Sequence, residues 1–310
     1  MKTNIETQLA IVIPAYKANF LREALSSIAS QTDKRFKVYV GDDNSPNNLE
    51  SIIEEFKDQV DISYHRFKSN LGGKDLVAQW TRCVELTQGE PYIWLFSDDD
   101  IMYPNCVEEF YRIIGEDSES EVFRFNVKVI DGRGNVLRDI KYPHVITSKE
   151  LFKKKISGRL ECFVVEFIFK RTAYEREGGF VKFDLAWGSD LATWVNLGEK
   201  KGIVTIPNAW ICWRSSGANI STDYNPATLK RKISALVDCL KWGENKYPEK
   251  DIRQINERGL VSRLSQMAVS SNYTLGLSGI GIYTNSVWRR MVIGWKYTIY
   301  YIVKKIRNVF

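Results

Sequence analysis

Residues 91–100, PYIWLFSDDD, join a continuous apolar run to three adjacent acids. An apolar run of this length, bounded by turn residues, predicts a strand buried on both faces, as in a parallel sheet. Asp98, Asp99 and Asp100 follow at its carboxyl end, where three like charges repel one another. Carboxylate oxygens suit Mg²⁺ or Mn²⁺, so the triplet predicts a divalent cation site. The alternative is a solvated acidic turn that caps a helix starting near Pro104.

Three further strand-like runs precede this stretch, and each leads into a loop and a helical pattern. They cover residues 9–13, 36–40 and 62–66. The alternation predicts an α/β fold with a doubly wound sheet, whose ligands bind at the carboxyl ends of the strands. Right-handed crossovers place these ends at one edge, so the four loops should converge on one cleft. The loops contain Pro14-Ala15-Tyr16, Asp42-Asp43, Asn70-Leu71-Gly72-Gly73-Lys74 and Asp98-Asp99-Asp100.

The later sequence changes from strand-like to helical patterns. Alternating and apolar runs predict strands at residues 121–129, 136–140, 160–169 and 203–213. From Pro226 the pattern is helical to about residue 269, with a break at Pro248. The glycine- and serine-rich stretch Gly276–Gly281 predicts a hinge before a final helix.

Length and composition exclude several classes of protein. With 310 residues, 44% of them hydrophobic, the chain suits one large α/β domain with appendages, or two domains. Its five cysteines are scattered without C-x-x-C spacing, which disfavours a zinc site or disulfide framework and favours a reducing compartment. The N-terminus lacks the apolar stretch of a signal peptide. No G-x-G-x-x-G follows the first strand, which disfavours a dinucleotide-dependent dehydrogenase.

Positive charge is concentrated at the C-terminus. The last acid is Glu257, and eight Lys and Arg residues follow it. Subtracting these eight bases from the total of 44 leaves 36 against 38 acids, so the net charge of +6 belongs to the tail. No nucleic-acid-binding module surrounds these bases, and we expect no nucleic-acid partner.

Residues 287–310, VWRRMVIGWKYTIYYIVKKIRNVF, predict a helix that lies at a membrane surface. The apolar run 291–303 is interrupted by Lys296 and is too short for an ordinary transmembrane helix. The alternative is a terminal helix that packs on the body of the protein or on a partner chain. The residue types that favour the boundary between water and lipid here are Trp288, Trp295, Tyr297, Tyr300 and Tyr301.

The motifs resemble, in order and spacing, those of the family 2 glycosyltransferases of the GT-A fold. Bacterial surface-polysaccharide transferases and the spore-coat nucleotide-sugar transferase have the most similar pattern. The resemblance covers about the first 115 residues and returns at Trp187-Gly188-Ser189-Asp190-Leu191. The matching motifs are Ile11–Tyr16, Val40–Ser45, Asn70–Gly72 and Ser97–Asp100, with Pro104 after the last.

The resemblance implies a GT-A fold, with a Rossmann-like, mixed, doubly wound sheet and a C-terminal helical extension. Residues 1–115 would form the nucleotide-sugar-binding half of the GT-A domain, and residues 116–225 its acceptor-binding half. Residues 226–310 would form the helical region with the basic, aromatic tail.

The resemblance also implies metal-dependent, inverting transfer of a sugar, with Mn²⁺ or Mg²⁺ as cofactor. The donor would be a nucleotide diphosphate sugar, with UDP favoured, and the acceptor a saccharide or lipid-linked saccharide of a bacterial surface polysaccharide. Asp99 would hold the metal, and Asp98 would contact the metal or the ribose. Asp42 or Asp43 would accept the imide hydrogen of uracil, and Lys74 would reach the diphosphate. The implied nucleotide-binding residues are Pro14, Ala15, Tyr16, Asp42, Asp43, Asn70, Gly72, Lys74 and Asp98.

In the acceptor half, the resemblance implies Asp190 as the catalytic base, with Asp184 as the second choice. Asp190 could instead only stabilise the helix that follows it, because an acid in a first turn opposes the helix dipole. Trp187 is a candidate platform for the acceptor sugar. Many relatives carry a late histidine near the metal, whereas this chain has Arg214 in that region. Arg214 could supply positive charge to the leaving group or contact the acceptor.

Other functions stay open on the sequence. A nucleotidyltransferase also uses acids and a metal, although its first loop is usually rich in glycine and lysine. A relative that binds nucleotide sugars without catalysis would keep the same motifs. We expect a cytoplasmic protein, peripheral at the inner face of the cell membrane.

Overall fold

The computed structural model describes residues 7–217, 223, 225–269 and 273–307, which form two compact units. The first unit comprises the described residues up to 148 together with 162–180 and 193–217. The second comprises 149–161, 181–192 and the described residues from 223 onward. The predicted nucleotide-binding and acceptor-binding halves were defined by function and not by packing, so that division stays a prediction.

A mixed sheet of ten strands organises the first unit. Eight strands follow one another in the order β3-β2-β1-β4-β9-β6-β10-β5, while β7 pairs with β6 and β8 pairs with β10. The strands are β1 (Leu9–Ala15), β2 (Phe36–Asp42), β3 (Ile62–Arg66), β4 (Tyr92–Leu95), β5 (Ile101–Met102), β6 (Val122–Asp131), β7 (Val136–Ile140), β8 (Val145–Ile146), β9 (Phe167–Lys170) and β10 (Ile203–Ser215).

Helices connect most of these strands, and the elements described after β10 are all helices. They are α1 (Leu21–Ala29), α2 (Leu49–Glu54), α3 (Leu76–Val84), α4 (Cys106–Glu116), α5 (Ser148–Ile156), α6 (Arg171–Arg176), α7 (Ser189–Leu197), α8 (Pro226–Lys246), α9 (Lys250–Val269), α10 (Tyr273–Tyr283) and α11 (Val287–Arg307).

The first four strands confirm the predicted βα repeats. Strand β1 pairs in parallel with both β2 and β4, and β2 pairs in parallel with β3. The register aligns Ala15 with Asp42 and Asp42 with Arg66, so these strands end at one edge. Strand β9 runs antiparallel to its neighbours β4 and β6, which makes the sheet mixed. The predicted α/β fold class is therefore confirmed.

Buried apolar side chains on both faces of β1 and β4 explain why these strands lie in the middle of the sheet. Every residue of β4 is buried, and its indole Trp94 donates a hydrogen bond to the Val165 carbonyl, 2.7 Å away. The Trp94 ring stacks on Phe125, with 4.9 Å between ring centroids. Helix α1 covers one face with Leu21, Leu25 and Ile28, which recur at helical spacing.

Two sequence-based predictions in this unit were wrong. The predicted strand at 160–169 is a strand only from Phe167, because residues 164–166 form a 3-10 turn. The Phe163 amide donates to the Glu166 carboxylate over 3.0 Å, which closes that turn. The acid triplet caps no helix, since the two-residue strand β5 follows it and Asn105 precedes α4.

The second unit is built largely from helices α8 to α11. The predicted break at Pro248 is confirmed, because it lies between α8 and α9. The predicted hinge at 276–281 is wrong, because these residues belong to α10. A Cβ at Gly279 would lie 2.6 Å from Ile233 Cγ2. The glycine therefore lets α10 approach α8 closely, a role that sequence composition does not distinguish from flexibility.

Helix α11 extends through the predicted tail, and residues 308–310 lie outside the described residues. Ile293 and Tyr297 are 1% and 0% exposed, so one face of the helix packs within the second unit. Tyr297, one of the aromatic residues of the tail, therefore lies on the packed face of the helix. The Trp288 side chain lies outside the described residues. None of the helices in the described part of the chain has the length and apolar character that a membrane span requires.

Candidate functional site

The carboxyl ends of β1, β2 and β4 meet at one edge of the sheet, where Asp98 joins two of the predicted loops. Asp98 Oδ2 accepts hydrogen bonds from the backbone amides of Tyr16 and Lys17, each over 2.8 Å. The Tyr16 carbonyl in turn accepts a hydrogen bond from the Ser45 hydroxyl over 2.6 Å. The Pro-Ala-Tyr loop is thereby fixed between the acid triplet and the loop after β2, and the Tyr16 ring is 42% exposed beside it.

Asp42 is fully buried at the end of β2 and accepts hydrogen bonds from three groups. Its Oδ1 accepts the Ser45 amide over 2.7 Å, and its Oδ2 accepts the Tyr64 hydroxyl over 2.6 Å. The Arg66 guanidinium lies 3.2 Å from Oδ2 and also donates to the Ser45 carbonyl over 2.8 Å. Burial, followed by the contact with Asp42, raises the pKa of Tyr64 to about 12, so the hydroxyl stays a donor.

Asp43 holds the loop that carries the Asn70-Leu71-Gly72 motif. Its two oxygens accept the backbone amides of Leu71 and Gly72 over 2.7 and 2.8 Å, and it pairs with Arg82. A Cβ at Gly72 would lie 2.8 Å from Asp43 Oδ2, so glycine is required for this approach. In the structure Gly72 thus admits a protein carboxylate. The Asn70 side chain closes the turn by accepting the Gly73 amide over 2.9 Å, and Lys74 is exposed.

The three acids of the triplet have different partners. Asp98 is held by the two amides above, whereas Asp100 Oδ1 accepts the Arg214 amide over 2.7 Å. Asp99 Oδ2 lies 3.6 Å from the ammonium of Lys17. Burial and then the charge of Asp99 raise the pKa of Asp98 to about 6 and that of Asp100 well above its usual range. Burial also raises the pKa of Asp99, against the opposing charge of Lys17.

Arg214 supports the triplet from within the protein. Its side chain is 1% exposed, and its Nε donates to the Asp99 carbonyl over 2.8 Å. Its Nη2 donates to Glu23 over 2.6 Å, and the guanidinium lies 4.2 Å from the centroid of the Phe20 ring. These contacts assign Arg214 a positioning role in the structure as it stands. Its predicted contact with the acceptor or the leaving group stays a prediction.

The chemistry of the acid triplet fits a divalent cation, although the protein would supply only part of its coordination shell. Carboxylate oxygens are hard ligands of the kind that Mg²⁺ and Mn²⁺ prefer. Within the part of the chain that the structure describes, no three His, Cys, Asp or Glu side chains are grouped to hold a metal. Asp99, whose carboxylate lies 3.6 Å from the ammonium of the partly exposed Lys17, is the member of the triplet best placed to exchange its partner for a cation.

Asp190 lies in the second unit, in the first turn of α7. It is half-buried, and burial raises its pKa, against the opposing effects of Lys155 and of the helix amides. A carboxylate with a raised pKa is a stronger base, as general base catalysis requires. Asp184 differs, because it is exposed and its two oxygens bind Arg231 over 2.6 and 2.9 Å. That pairing lowers the pKa of Asp184 and makes it a weaker base.

The loop before Asp190 has an unusual backbone. Leu185 and Ala186 have φ angles of 55° and 54°, in the left-handed region that side chains other than glycine rarely adopt. Such conformations cluster at functional sites, because the surrounding structure must hold them in place. Trp187 follows, half-buried, with the ammonium of Lys232 5.0 Å from its ring centroid. Sequence patterns give no sign of this backbone.

Four residues that contact this site were not predicted from the sequence: Tyr64, Arg66, Lys17 and Glu23. Arg66 could have been predicted, because it is the last residue of a predicted strand at the edge where the other loops converge. Glu23 could not, because its contact with Arg214 joins positions that are 191 residues apart in the chain.

Comparison with known proteins identifies the family. The model for "Glycosyl transferase family 2" matches residues 10–177, which include the carboxyl ends of β1, β2 and β4 and the acid triplet but not Arg214. The chain belongs to glycosyl transferase family 2.

Curated relatives share this part of the sequence. A protein named "Uncharacterized glycosyltransferase RC0461" from Rickettsia conorii is 33% identical over 149 residues, which are 47% of this chain and 24% of the relative. The chain spans between about a quarter and a half of the length of this and three other Rickettsia relatives. The Campylobacter jejuni GalNAc(5)-diNAcBac-PP-undecaprenol beta-1,3-glucosyltransferase is 24% identical over 204 residues, 63% of this chain and 60% of that enzyme.

Solved structures show the same fold. Staphylococcus aureus TarS 1–349 matches with a TM-score of 0.67 and 15% identity, over 97% of this chain and 91% of TarS. That TarS fragment is also known in complex with UDP-GlcNAc. The mannosyltransferase PcManGT from Pyrobaculum calidifontis, in complex with GDP-Man and Mn²⁺, matches with a TM-score of 0.57 and 14% identity over 98% of this chain and 88% of that one. The fold of this chain is therefore the GT-A fold.

Proposed function

We propose that this protein transfers a sugar from a nucleotide diphosphate donor to a saccharide acceptor, with inversion at the anomeric carbon. One observation carries the proposal: Asp98 fixes the Pro-Ala-Tyr loop with two hydrogen bonds at the edge where the family's donor motifs meet. This edge lies at the carboxyl ends of parallel strands, where α/β folds bind nucleotides.

The donor is proposed to be a UDP-sugar. TarS, a structural neighbour, binds UDP-GlcNAc, whereas PcManGT binds GDP-Man, so the fold alone does not select the base. The Asp42 carboxylate is proposed to accept the imide hydrogen of uracil in exchange for the partly exposed Arg66 guanidinium, which lies 3.2 Å from Oδ2. Asp43 would act through the loop that it holds, and the exposed ring of Tyr16 would cover the base.

Asp99, with Asp98 beside it, is proposed to hold a divalent cation, as Mn²⁺ accompanies the donor in PcManGT. When bound, such a cation neutralises the negative charge that grows on the departing diphosphate. The cation would take the place of the Lys17 ammonium, which lies 3.6 Å from Asp99. Asp100 and Arg214 keep the backbone of the triplet in position.

Asp190 is proposed to act as the base. The acceptor hydroxyl oxygen forms a bond to the anomeric carbon as the bond from that carbon to the diphosphate oxygen breaks. The hydroxyl proton passes to the Asp190 carboxylate, and the nucleoside diphosphate leaves with the electron pair. The raised pKa of Asp190 strengthens it for this step, and the strained loop at Leu185 and Ala186 is proposed to hold Trp187 against the acceptor sugar.

The acceptor is proposed to be a saccharide or lipid-linked saccharide of a bacterial surface polysaccharide. The name of the Campylobacter relative specifies an undecaprenol-linked saccharide, and TarS is named as a poly(ribitol-phosphate) beta-N-acetylglucosaminyltransferase. A lipid-linked acceptor would be met at the inner face of the membrane, and the basic residues 287–310 are proposed to bring the protein there.

The test is a product assay with a panel of UDP-sugars, in which UDP release is measured with and without candidate acceptors. Asp190→Asn is expected to keep the affinity for the donor but to lower kcat about 10²- to 10⁴-fold, as loss of a general base does. Asp184→Asn is the comparison, because Asp184 is tied to Arg231 and is expected to change kcat far less.

Three results would contradict the proposal. Release of pyrophosphate would indicate a nucleotidyltransferase, and binding without turnover of any donor would indicate a non-catalytic relative. Equal kcat for Asp190→Asn and the wild type would remove Asp190 from the mechanism.

A further inference from the structure

Helix α11 presents a stripe of apolar side chains to solvent. Met291, Trp295, Ile299 and Ile302 are 62%, 70%, 47% and 51% exposed. Their spacing of four, four and three residues places them on one face of the helix. The buried Tyr297 lies on the opposite face. The helix is therefore apolar on two sides, and only one of them is covered within the second unit.

Most other large apolar side chains of the described residues are buried. The exposed ones outside α11 are scattered, whereas Val303, one turn after Ile299, extends the stripe at 43% exposure. The stripe is thus a continuous surface of the kind that marks an interaction site. The exposed large apolar residues outside α11 are Tyr16, Tyr103, Val136, Leu137, Val145, Leu277 and Ile282.

The charge around the stripe selects the kind of partner. Helix α11 contains no acid, and Lys296 is exposed beside Trp295. The helix carries six Lys and Arg residues in all, so its net charge is strongly positive. A second copy of this helix would bring its own cations against these. An anionic surface would instead neutralise them, and aromatic and basic residues together favour the headgroup region of a bilayer.

We propose that the stripe formed by Met291, Trp295, Ile299 and Ile302 inserts into the headgroup region of a membrane that carries anionic lipid. Helix α11 then lies in the plane of the membrane surface, with Tyr297 facing the protein. The inference rests on the proposed function in one respect: a lipid-linked acceptor would explain why the protein binds a membrane. The lipid contact itself follows from exposure and charge.

The test compares two double variants in sedimentation with lipid vesicles. Deleting the tail would be ambiguous, because the fully buried Tyr297 would be lost with it. Trp295→Ser with Ile299→Ser removes two exposed side chains and should keep the fold. The matched control is Val136→Ser with Leu137→Ser, which removes two side chains that are 53% and 56% exposed on β7.

The wild type and the control are expected to sediment with phosphatidylcholine vesicles that contain phosphatidylglycerol, and much less with phosphatidylcholine alone. The stripe variant is expected to lose at least about tenfold in partitioning, since each inserted side chain contributes apolar burial. Equal binding of the stripe variant and the wild type would overturn the inference. So would a wild-type dimer that binds no vesicles and dissociates in the stripe variant, because the stripe would then be a protein interface.

Titration of UDP on the same samples separates this inference from the proposed function. If the wild type binds UDP but does not sediment with vesicles, the lipid contact alone is contradicted. If the wild type sediments with vesicles but does not bind UDP, the proposed donor alone is contradicted.

Discussion

The three neighbouring acids of the triplet are not equivalent at the level of single residues. Asp98 is held by two backbone amides and Asp100 by a third, whereas Asp99 contacts the ammonium of Lys17. A lysine ammonium can move away on its flexible stem, whereas backbone amides stay fixed. Asp99 is therefore the acid of the triplet whose protein partner a cation could replace most readily.

Removing Lys17 is expected to strengthen the binding of Mn²⁺ in the absence of nucleotide. The ammonium and the metal would compete for Asp99, and a partly exposed ion pair contributes up to about 1 kcal/mol, so a gain in Mn²⁺ affinity of about twofold to fivefold is expected. Lys17→Met and the wild type are compared by electron paramagnetic resonance of free Mn²⁺. Lys57→Met, which removes an exposed partner of Glu54, is the control. Weaker Mn²⁺ binding by Lys17→Met would mean that Lys17 does not occupy the position of a cation.

Asp190 is expected to reduce stability as the pH rises. Burial raises its pKa, so the folded protein keeps this proton to a higher pH than the unfolded chain does. Its contribution to the free energy of unfolding therefore declines as the pH rises from about 4, the unfolded pKa, through the raised folded value. Asp190→Asn removes the ionisable group, so the variant should have a higher free energy of unfolding than the wild type at neutral pH. The difference between the two proteins should be smaller in acid.

Urea denaturation of both proteins between about pH 4 and pH 8 measures that difference. A constant difference across this range would show that Asp190 titrates as an ordinary surface acid. The result would also weaken its assignment as the base, since its basicity depends on the same burial.

At this scale, sequence predicted which acids lie at the edge but not what holds them. Topology alone placed Asp98 near Tyr16, and the hydrogen bonds between them follow that prediction. The burial of Arg214 could not be predicted, because an arginine is usually exposed and its partner Glu23 is remote in the chain.

At the level of elements, sequence periodicity predicted the βα repeats. It did not predict elements whose structure depends on a partner that is distant in the sequence. Strand β5 has only two residues and exists because β10 pairs with it. Helix α10 contains the glycines that predicted a hinge, and Gly279 serves close packing there. A glycine in the sequence shows only that a side chain is absent. Whether the space is filled by a neighbouring helix depends on the fold.

Two glycines of α10 provide a test of that interpretation. Gly279→Ala is expected to cost about 1–3 kcal/mol of unfolding free energy, because the new methyl group overlaps Ile233. Gly281→Ala meets no atom within 4 Å and is expected to stabilise by about 0.5–1 kcal/mol, as alanine does within a helix. Thermal or urea denaturation measures both. Destabilisation of equal size at the two positions would contradict the packing role.

At the level of the whole molecule, composition predicted free cysteines, and the structure buries all five. Burial raises the pKa of Cys83 and of Cys239 to about 12, which keeps both thiols protonated and unreactive. The native protein is therefore expected to react with Ellman's reagent far more slowly than the guanidinium-unfolded chain, in which five thiols should react. Rapid reaction of the native protein would show that the units open more readily than their packing indicates.

The measurement that tests the central claim most directly is isothermal titration of UDP, with and without Mn²⁺, on the wild type and on Asp99→Asn. The substitution keeps the size of the side chain and removes its charge, so it isolates the predicted role of Asp99. A nucleotide-sugar site predicts that Mn²⁺ strengthens UDP binding to the wild type and that Asp99→Asn loses most of this effect. No binding of UDP to the wild type under either condition would contradict the account of the donor site.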